Sequence, residues 1–136
     1  MSDATHLSRE LDGLHCSFAI RKYSGGTVVM KISGVDIGEF VERPMRELME
    51  FLRGPDRVRL FIDARDVRGA SMTVGSAWAT WLRSHKILFE DISMLAGTRY
   101  VQITADCVRR FAALESTMRI YTEPAVFDAL LAQSLS

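Results

Sequence analysis

The sequence predicts an α/β domain built on a mixed β-sheet of about five strands with about four helices. Two β-rich runs joined by "SGG" indicate an antiparallel hairpin. After the hairpin, short apolar runs alternate with stretches whose apolar residues recur every three to four positions. Because such alternation is typical of parallel strands joined by helices, we expect the order β-β-α-β-α-β-α-β-α.

Length and composition are consistent with one domain that buries a substantial core. The chain has 136 residues, of which 48% are hydrophobic and 25% charged. Its 17 basic and 17 acidic side chains cancel, so no overall charge attracts it to nucleic acid. No apolar stretch approaches the roughly 20 residues of a membrane span, and the polar start does not resemble a secretory signal. We therefore expect a cytoplasmic protein without integral membrane association, with a flexible tail over 1–14 and a domain over 15–136.

The hairpin and the first helix follow from local patterns. "HCSFAIRKY" and "TVVMKIS" form the hairpin, and Gly25 and Gly26 supply its tight turn. The next stretch predicts a helix that ends at Gly54-Pro55, with Asp36 and Glu39 as a capping pair. Pro44 implies either a kink or a helix that begins near Arg43.

The central part of the chain predicts a buried strand and a long helix. "RVRLFIDAR" is nearly continuous in apolar residues, which is typical of a strand covered on both faces. From Val74 to Leu95 the apolar spacing is helical, so we expect one helix or two helices with a bend near Lys86, ended by Gly97.

The last third of the sequence predicts two further strand–helix units. "RYVQIT" reads as a strand and "ADCVRRFAALES" as a helix. "MRIY" is the closing strand. "TEPAVFDALLAQ" is the closing helix, with Thr122 as N-cap and Pro124 in its first turn.

Two stretches resemble the STAS fold of anti-sigma-factor antagonists, in particular the SpoIIAA-like group that includes STAS/SEC14-type domains. They are "EFVERPMRELMEFLRGPDRVRLFIDARDVRGASM" and "IYTEPAVFDALLA", and the likeness extends over roughly 15–133. The resemblance implies a regulatory, protein-binding module. Members of that family carry an Asp-Ser-Ser-Gly stretch whose serine is phosphorylated by a partner kinase. Ser71 takes that position here, whereas Ala70 replaces the aspartate and Met72 and Thr73 replace the rest.

The strand-to-helix corner at Ser71 is the first candidate site. Unpaired amides and the helix dipole would stabilise a phosphoryl group on Ser71, Thr73 or Ser76. The alternative is that these hydroxyls only cap the following helix.

An acidic rim is the second candidate site, because ligands of open α/β sheets bind beyond the carboxyl ends of the parallel strands. Those ends are predicted to carry Asp63 and Asp66, together with Thr104, Asp106, Tyr121 and Glu123. Converging carboxylates serve acid–base chemistry or bind hard cations. The alternative is that each carboxylate bonds to neighbouring amides or arginines.

The long helix supplies the third candidate site. Trp78 and Trp81 lie three residues apart, which suits either the core, a dimer face or the wall of an apolar pocket. His85 falls on the same stripe and is either a pH sensor or base, or a histidine whose hydrogen bonds are satisfied. The two cysteines, Cys16 and Cys107, have no paired Cys or His spacing, so we expect neither a metal nor a cofactor.

These observations favour a non-enzymatic STAS-like module that binds a protein partner or forms a homodimer, with phosphorylation at Ser71 as its switch. A second interpretation is a binder of small lipophilic ligands. Its cavity would be lined by aromatic and aliphatic side chains: Trp78, Trp81, Leu88, Phe89 and Phe111. A third is a hydrolytic or metal-dependent enzyme that uses the acidic rim.

Overall fold

The structure is a computed structural model that describes residues 5–136. Within that range it contains six strands, four α-helices and a 3₁₀ turn over Lys86–Leu88. In chain order the elements are β1 (Thr5–Asp12), β2 (Cys16–Tyr23), β3 (Thr27–Asp36), α1 (Arg43–Phe51), β4 (Val58–Ala70), α2 (Met72–His85), β5 (Phe89–Ala96), α3 (Arg99–Phe111), β6 (Met118–Tyr121) and α4 (Pro124–Leu135).

All six strands form one mixed sheet in the order β1-β2-β3-β4-β5-β6. β1, β2 and β3 pair antiparallel, whereas β3 to β6 pair parallel. This confirms the predicted mixed α/β architecture, with one strand more than expected. No helix of residues 5–136 is long and apolar enough to cross a membrane.

The extra strand lies where the sequence predicts a flexible tail over 1–14. Residues 5–12 form β1, and residues 1–4 lie outside the described part of the chain. Leu11 is buried and Arg9 pairs with Glu47 on α1 at 3.1 Å, which holds the strand against the first helix. The prediction was wrong here because polar residues separate the apolar ones and no β-branched run marks the strand.

β4 is covered on both faces, as its apolar run predicts. Leu60 and Ile62 belong to the main core cluster, to which α1, α2 and α3 contribute. Phe61 lies on the opposite face and packs edge-to-face on Phe127 of α4, with ring centroids 5.7 Å apart. Three helices therefore cover one face of the sheet, and α4 covers part of the other.

The predicted helix from Val74 to Leu95 is only half right. α2 ends at His85, and Phe89–Ala96 is strand β5. The register of β5 slips by one residue at Glu90, so Phe89 and Ile92 face the same side at a spacing of three. Leu95 is buried on the other face, and the three apolar residues together imitate a helical stripe.

The predicted strand "RYVQIT" is wrong, because it forms the first half of α3. The hydroxyl of Thr98 caps this helix by accepting the Val101 amide at 3.1 Å. Gly97, expected to end a helix, instead lies in the turn before α3. A Cβ atom there would lie 2.1 Å from the Arg65 carbonyl oxygen, so the chains pass too closely for any side chain.

The starts of α1 and α4 agree with the predicted helices, but their N-cap residues differ from the predicted ones. α1 begins at Arg43 with Pro44 in its first turn, so Asp36 and Glu39 are not its capping pair. α4 begins at Pro124 as expected, but its N-cap is Glu123 rather than Thr122.

Candidate functional site

Ser71 occupies the junction where the central strand β4 passes into α2. Its Oγ accepts the Val74 amide at 3.2 Å, and its own amide donates to the Asp36 carbonyl oxygen at 2.9 Å. Ser71 is therefore the N-cap of α2, as the capping alternative for this residue predicts. The side chain is half-buried, and Thr73 and Ser76 are exposed on the next turns of α2. The structure thus brings all three predicted hydroxyls to one helix end.

Large aliphatic side chains surround this junction and point into solvent. Met72 is 87% exposed, Leu14 93% and Val41 77%, and Ile37 is also exposed. They lie on three neighbouring segments: the β1–β2 turn, the β3–α1 loop and the start of α2. We call these four side chains, together with Ser71, the corner surface.

A carboxylate joins two of these segments. Glu39 in the β3–α1 loop accepts three consecutive amides of the β1–β2 turn: Leu14 at 3.0 Å, His15 at 2.9 Å and Cys16 at 2.8 Å. The hydrogen bond from His15 is the main cause of the lowered pKa of Glu39, and those from Cys16 and Leu14 add to it. Glu39 therefore fixes Leu14 relative to Ile37 and Val41.

The end of β3 passes very close to the β1–β2 turn, and the β3–α1 loop contains a residue with strained backbone. Gly34 has a φ of 89°, and a Cβ atom there would lie 2.2 Å from the His15 carbonyl oxygen. Val41 has a φ of 56°, which is strained for a β-branched residue and persists only where the surroundings hold it. The Val41 amide donates to the Gly38 carbonyl oxygen at 3.0 Å and closes the turn.

Two further polar groups are buried behind the corner surface. Asp36 ends β3, and its carboxylate accepts the Gly38 amide at 2.9 Å. Cys16 is buried beside it. Burial, the charge of Asp36 and a hydrogen bond with Glu39 together raise the pKa of Cys16 to about 12. Its thiol is therefore protonated and unreactive at neutral pH.

An apolar cavity of about 100 Å³ lies beneath the corner surface, between the sheet, α2 and α3. Trp78, Gly75 and Val101 form part of its wall, and Asp36, Tyr100 and Thr104 also line it. Of the side chains expected around a ligand cavity, only Trp78 lines this one. Phe89 is buried in the main core because it belongs to strand β5 rather than to a helix, and Phe111 is exposed at the end of α3.

Trp81 and His85 lie near the C-terminal end of α2 and contact each other. The two rings stack with centroids 4.4 Å apart, and Nδ1 of His85 donates to the Trp81 carbonyl oxygen at 2.7 Å. Trp81 also packs edge-to-face on Trp78 and on Phe89. These contacts give His85 the satisfied hydrogen bond that the sequence allowed as an alternative, and they place it at the opposite end of α2 from Ser71.

The predicted acidic rim does not assemble. Asp63 accepts the Arg65 guanidinium at 3.0 Å on the face that α4 covers, and Arg65 also pairs with Asp128 of α4. Asp66 is exposed and lies 3.9 Å from the Lys31 ammonium. Asp106 on α3 pairs with its neighbouring arginines.

The rim prediction was wrong because β4 continues to Ala70, so Asp63 and Asp66 lie within the strand rather than at its end. Thr104 lies within α3, not at the end of a strand. Within residues 5–136, no group of three His, Cys, Asp or Glu side chains is arranged to hold a metal ion.

Sequence patterns did not reveal the places of four residues at this site: Glu39, Asp36, Cys16 and Gly75. Glu39 and the amides it binds are 23 to 25 residues apart, so no local spacing reveals the contact. Gly75 offered a weak signal, because a glycine inside a helix costs stability and therefore needs a reason.

Solved structures share this fold. One is an uncharacterized protein from the DUF3478 family with a SpoIIAA-like fold, from Shewanella loihica PV-4; it is 14% identical, with a TM-score of 0.63 over 89% of this chain and 98% of that one. Another is the anti-sigma factor antagonist SpoIIAA in its unphosphorylated form, which is 16% identical, with a TM-score of 0.58 over 85% of this chain and 96% of that one. No family model and no curated protein matches the sequence. The chain therefore has a SpoIIAA-like fold, as the resemblance of its sequence implied.

Replacing Glu39 by glutamine tests whether its carboxylate holds the β1–β2 turn. Glutamine turns an NH₂ group toward at least one amide donor, so we expect faster hydrogen exchange at the amides of residues 14–16. Because folding lowers the pKa of Glu39 from 4.5, its stabilising effect is present above that pH and is lost as the pH falls through the lowered value. In acid, the wild-type exchange should approach that of Glu39→Gln once intrinsic rates are corrected.

The matched control is Glu42→Gln, because Glu42 is exposed and its side chain makes no capping bond. Unchanged exchange at residues 14–16 in Glu39→Gln would show that the three hydrogen bonds do not hold the turn.

Proposed function

We propose that this chain is a non-enzymatic regulatory module that docks a protein partner of the anti-sigma-factor type through the corner surface. The observation that carries the proposal is the group of large aliphatic side chains exposed around Ser71. The shared fold with an anti-sigma factor antagonist supports this class of partner. The proposal includes the cytoplasmic location expected from the sequence.

The corner surface has the properties of a docking site. Contiguous aliphatic side chains on an otherwise polar surface mark interaction sites, because their burial releases water and stabilises a complex. Glu39 holds two of the three segments in place, so little conformational entropy is lost on binding. A partner that places apolar side chains against Leu14, Val41 and Met72 would remove their exposed surface from water.

Phosphorylation at Ser71 gives this surface a switch. A phosphoryl group adds about two negative charges at pH 7 and replaces the hydroxyl that caps α2. The added charge would lie among the aliphatic side chains that the partner must desolvate, and Asp36 ends the neighbouring strand. Docking therefore favours the unphosphorylated serine.

Met72→Asp tests the docking surface. The aspartate is tolerated at an exposed position but opposes burial against an apolar partner, so affinity should fall at least about tenfold. Titration calorimetry with purified anti-sigma factors of the source organism measures the affinity. Ile87→Asp is the matched control, because Ile87 is similarly exposed at the far end of α2. If the affinity for the partner falls equally in both variants, or falls in neither, the corner surface is not the docking site.

Ser71→Ala tests the switch. The wild-type chain, incubated with ATP and the kinase-active partner, should gain the mass of one phosphoryl group and lose affinity for that partner. Ser71→Ala should gain no mass, whereas Ser76→Ala, which retains the corner hydroxyl, should behave like the wild type. A mass gain in Ser71→Ala, or none in the wild type, would contradict phosphorylation at Ser71.

A second copy of the chain is the other occupant expected from the sequence. Light scattering of the wild type and of Met72→Asp separates the two cases. If a homodimer uses the corner surface, the wild-type dimer should dissociate in Met72→Asp, and dimerisation will then compete with the partner.

The cavity beneath the corner surface supports a second candidate function, the binding of a small apolar ligand. An apolar cavity of about 150 Å³ is known to hold benzene. The cavity here, at about 100 Å³, is smaller, so it accepts an apolar group no larger than benzene, such as the end of a longer lipophilic molecule. Gly75 contributes to this space, because a helix interior normally carries a side chain at such a position.

Filling the space at Gly75 tests this candidate. Benzene and copurifying lipophilic molecules should bind the wild type, as measured by thermal midpoint and native mass spectrometry, but not Gly75→Leu. In Gly75→Ala the added methyl group makes an ordinary contact 3.7 Å from Thr104, and the helix should gain up to about 1 kcal/mol. Ala77→Leu, on the exposed side of α2, is the control. Benzene binding that persists in Gly75→Leu would exclude this cavity as the site.

A further inference from the structure

We infer that a groove along the outer side of α3, beside the edge strand β6, binds an acidic peptide segment of a protein partner. The groove has a volume of about 400 Å³. Its walls combine arginines with apolar side chains: Arg99, Arg109, Arg110, Ile103, Cys107 and Ile120. This surface is separate from the corner surface and does not depend on the function proposed above.

α3 carries two apolar stripes, although packing on the sheet explains only one of them. Val101, Ala105 and Ala112 face inward and are buried. Ile103, Cys107 and Phe111 recur every four residues on another side and are exposed, with Phe111 at 74%. A surface helix normally carries polar residues there, so the second stripe indicates a surface that a partner covers.

The charges in the groove are unbalanced. Asp106 pairs with both Arg109 and Arg110, and these contacts, with that of Arg109 foremost, lower its pKa. The side chain of Arg99 makes no hydrogen bond or ion pair with any residue in the range 5–136. The Nε atom of Arg109 is buried and lacks a hydrogen-bond acceptor within that range. Three guanidinium groups with one carboxylate favour a ligand that brings further carboxylates.

The dimensions suit an extended peptide. Arg99 and Arg110 are separated by eleven helical positions, which corresponds to about 16 Å. An extended chain covers that distance with about five residues at roughly 3.3 Å each. Because side chains of an extended chain alternate between two sides, a peptide of alternating acidic and apolar residues would direct its carboxylates to the arginines of α3 and its apolar groups to the β6 side of the groove, where Ile120 lies.

Other occupants fit the groove less well. A nucleic-acid strand needs basic residues along a longer stretch of its backbone, and the net charge of zero gives no attraction beyond these arginines. A second copy of α3 packed antiparallel would bring Arg99 close to Arg110 of its twin, and the like charges would repel. A small anion would contact only one end of the arginine row.

The experiment uses a fluorescent five-residue peptide of alternating glutamate and leucine and the full chain. Fluorescence anisotropy should show binding that weakens with added salt and is lost when the glutamates are replaced by glutamines. The double variant Arg99→Ser, Arg110→Ser should bind at least tenfold more weakly. Arg99→Ser alone, which preserves both ion pairs of Asp106, should also bind more weakly. The control is Arg46→Ser, Arg57→Ser, which removes the same charge from exposed positions elsewhere and should bind like the wild type.

Cys107 locates the bound peptide. It is exposed in the groove, whereas burial of Cys16 and its raised pKa of about 12 keep that thiol from reacting. The peptide should therefore slow alkylation of the single reactive thiol. Equal affinity for the glutamine peptide, unchanged binding in the groove variants, or undiminished alkylation of Cys107 would overturn the proposal. Met72→Asp should leave all these results unchanged, so failure here is distinct from failure of the corner surface.

Discussion

The burial of β4 on both faces is the constraint on which the rest of the structure depends. Leu60 and Ile62 require cover on one side and Phe61 on the other, so helices must pack above and below this strand. α4 meets the second requirement through Phe127, and the Arg65 ion pairs with Asp63 and Asp128 align it. Because β4 ends at Ala70, Ser71 lies directly beyond the carboxyl end of the enclosed central strand, where the exposed aliphatic side chains of the corner surface also lie.

Two groups of apolar side chains lie on the surface of the protein rather than in its core. Around Ser71, large apolar side chains are exposed to solvent, and a carboxylate that binds three amides holds two of the three segments that carry them. On α3, a second apolar stripe lies beside arginines that outnumber their carboxylate partners. The two surfaces differ in chemistry, because one is aliphatic and the other basic. If both proposed surfaces bind protein, the chain would engage one partner through each of them, or two segments of the same partner.

Sequence patterns predicted the parts of this fold that depend on local spacing. The hairpin at Gly25-Gly26, the central strand and the start of α4 at Pro124 were found because turn residues and apolar runs mark them directly. β5 was misread because a bulge at Glu90 gave a strand the spacing of a helix. Ser71 was placed correctly at its helix end, and Asp63 pairs with an arginine two residues away, which is the alternative that the sequence left open. The role of Glu39 depends on contacts between two loops 23 to 25 residues apart, which no single window of sequence contains.

The close approaches at Gly34 and Gly97 limit how this fold can vary during evolution. At each position a Cβ atom would lie about 2 Å from a backbone oxygen, so an alanine would displace the main chain rather than a neighbouring side chain. Core residues such as leucine and isoleucine can exchange freely while identity to other chains of this fold drops to 14%. Within this chain, Gly34 and Gly97 should therefore accept substitution far less readily than the leucines and isoleucines of its core.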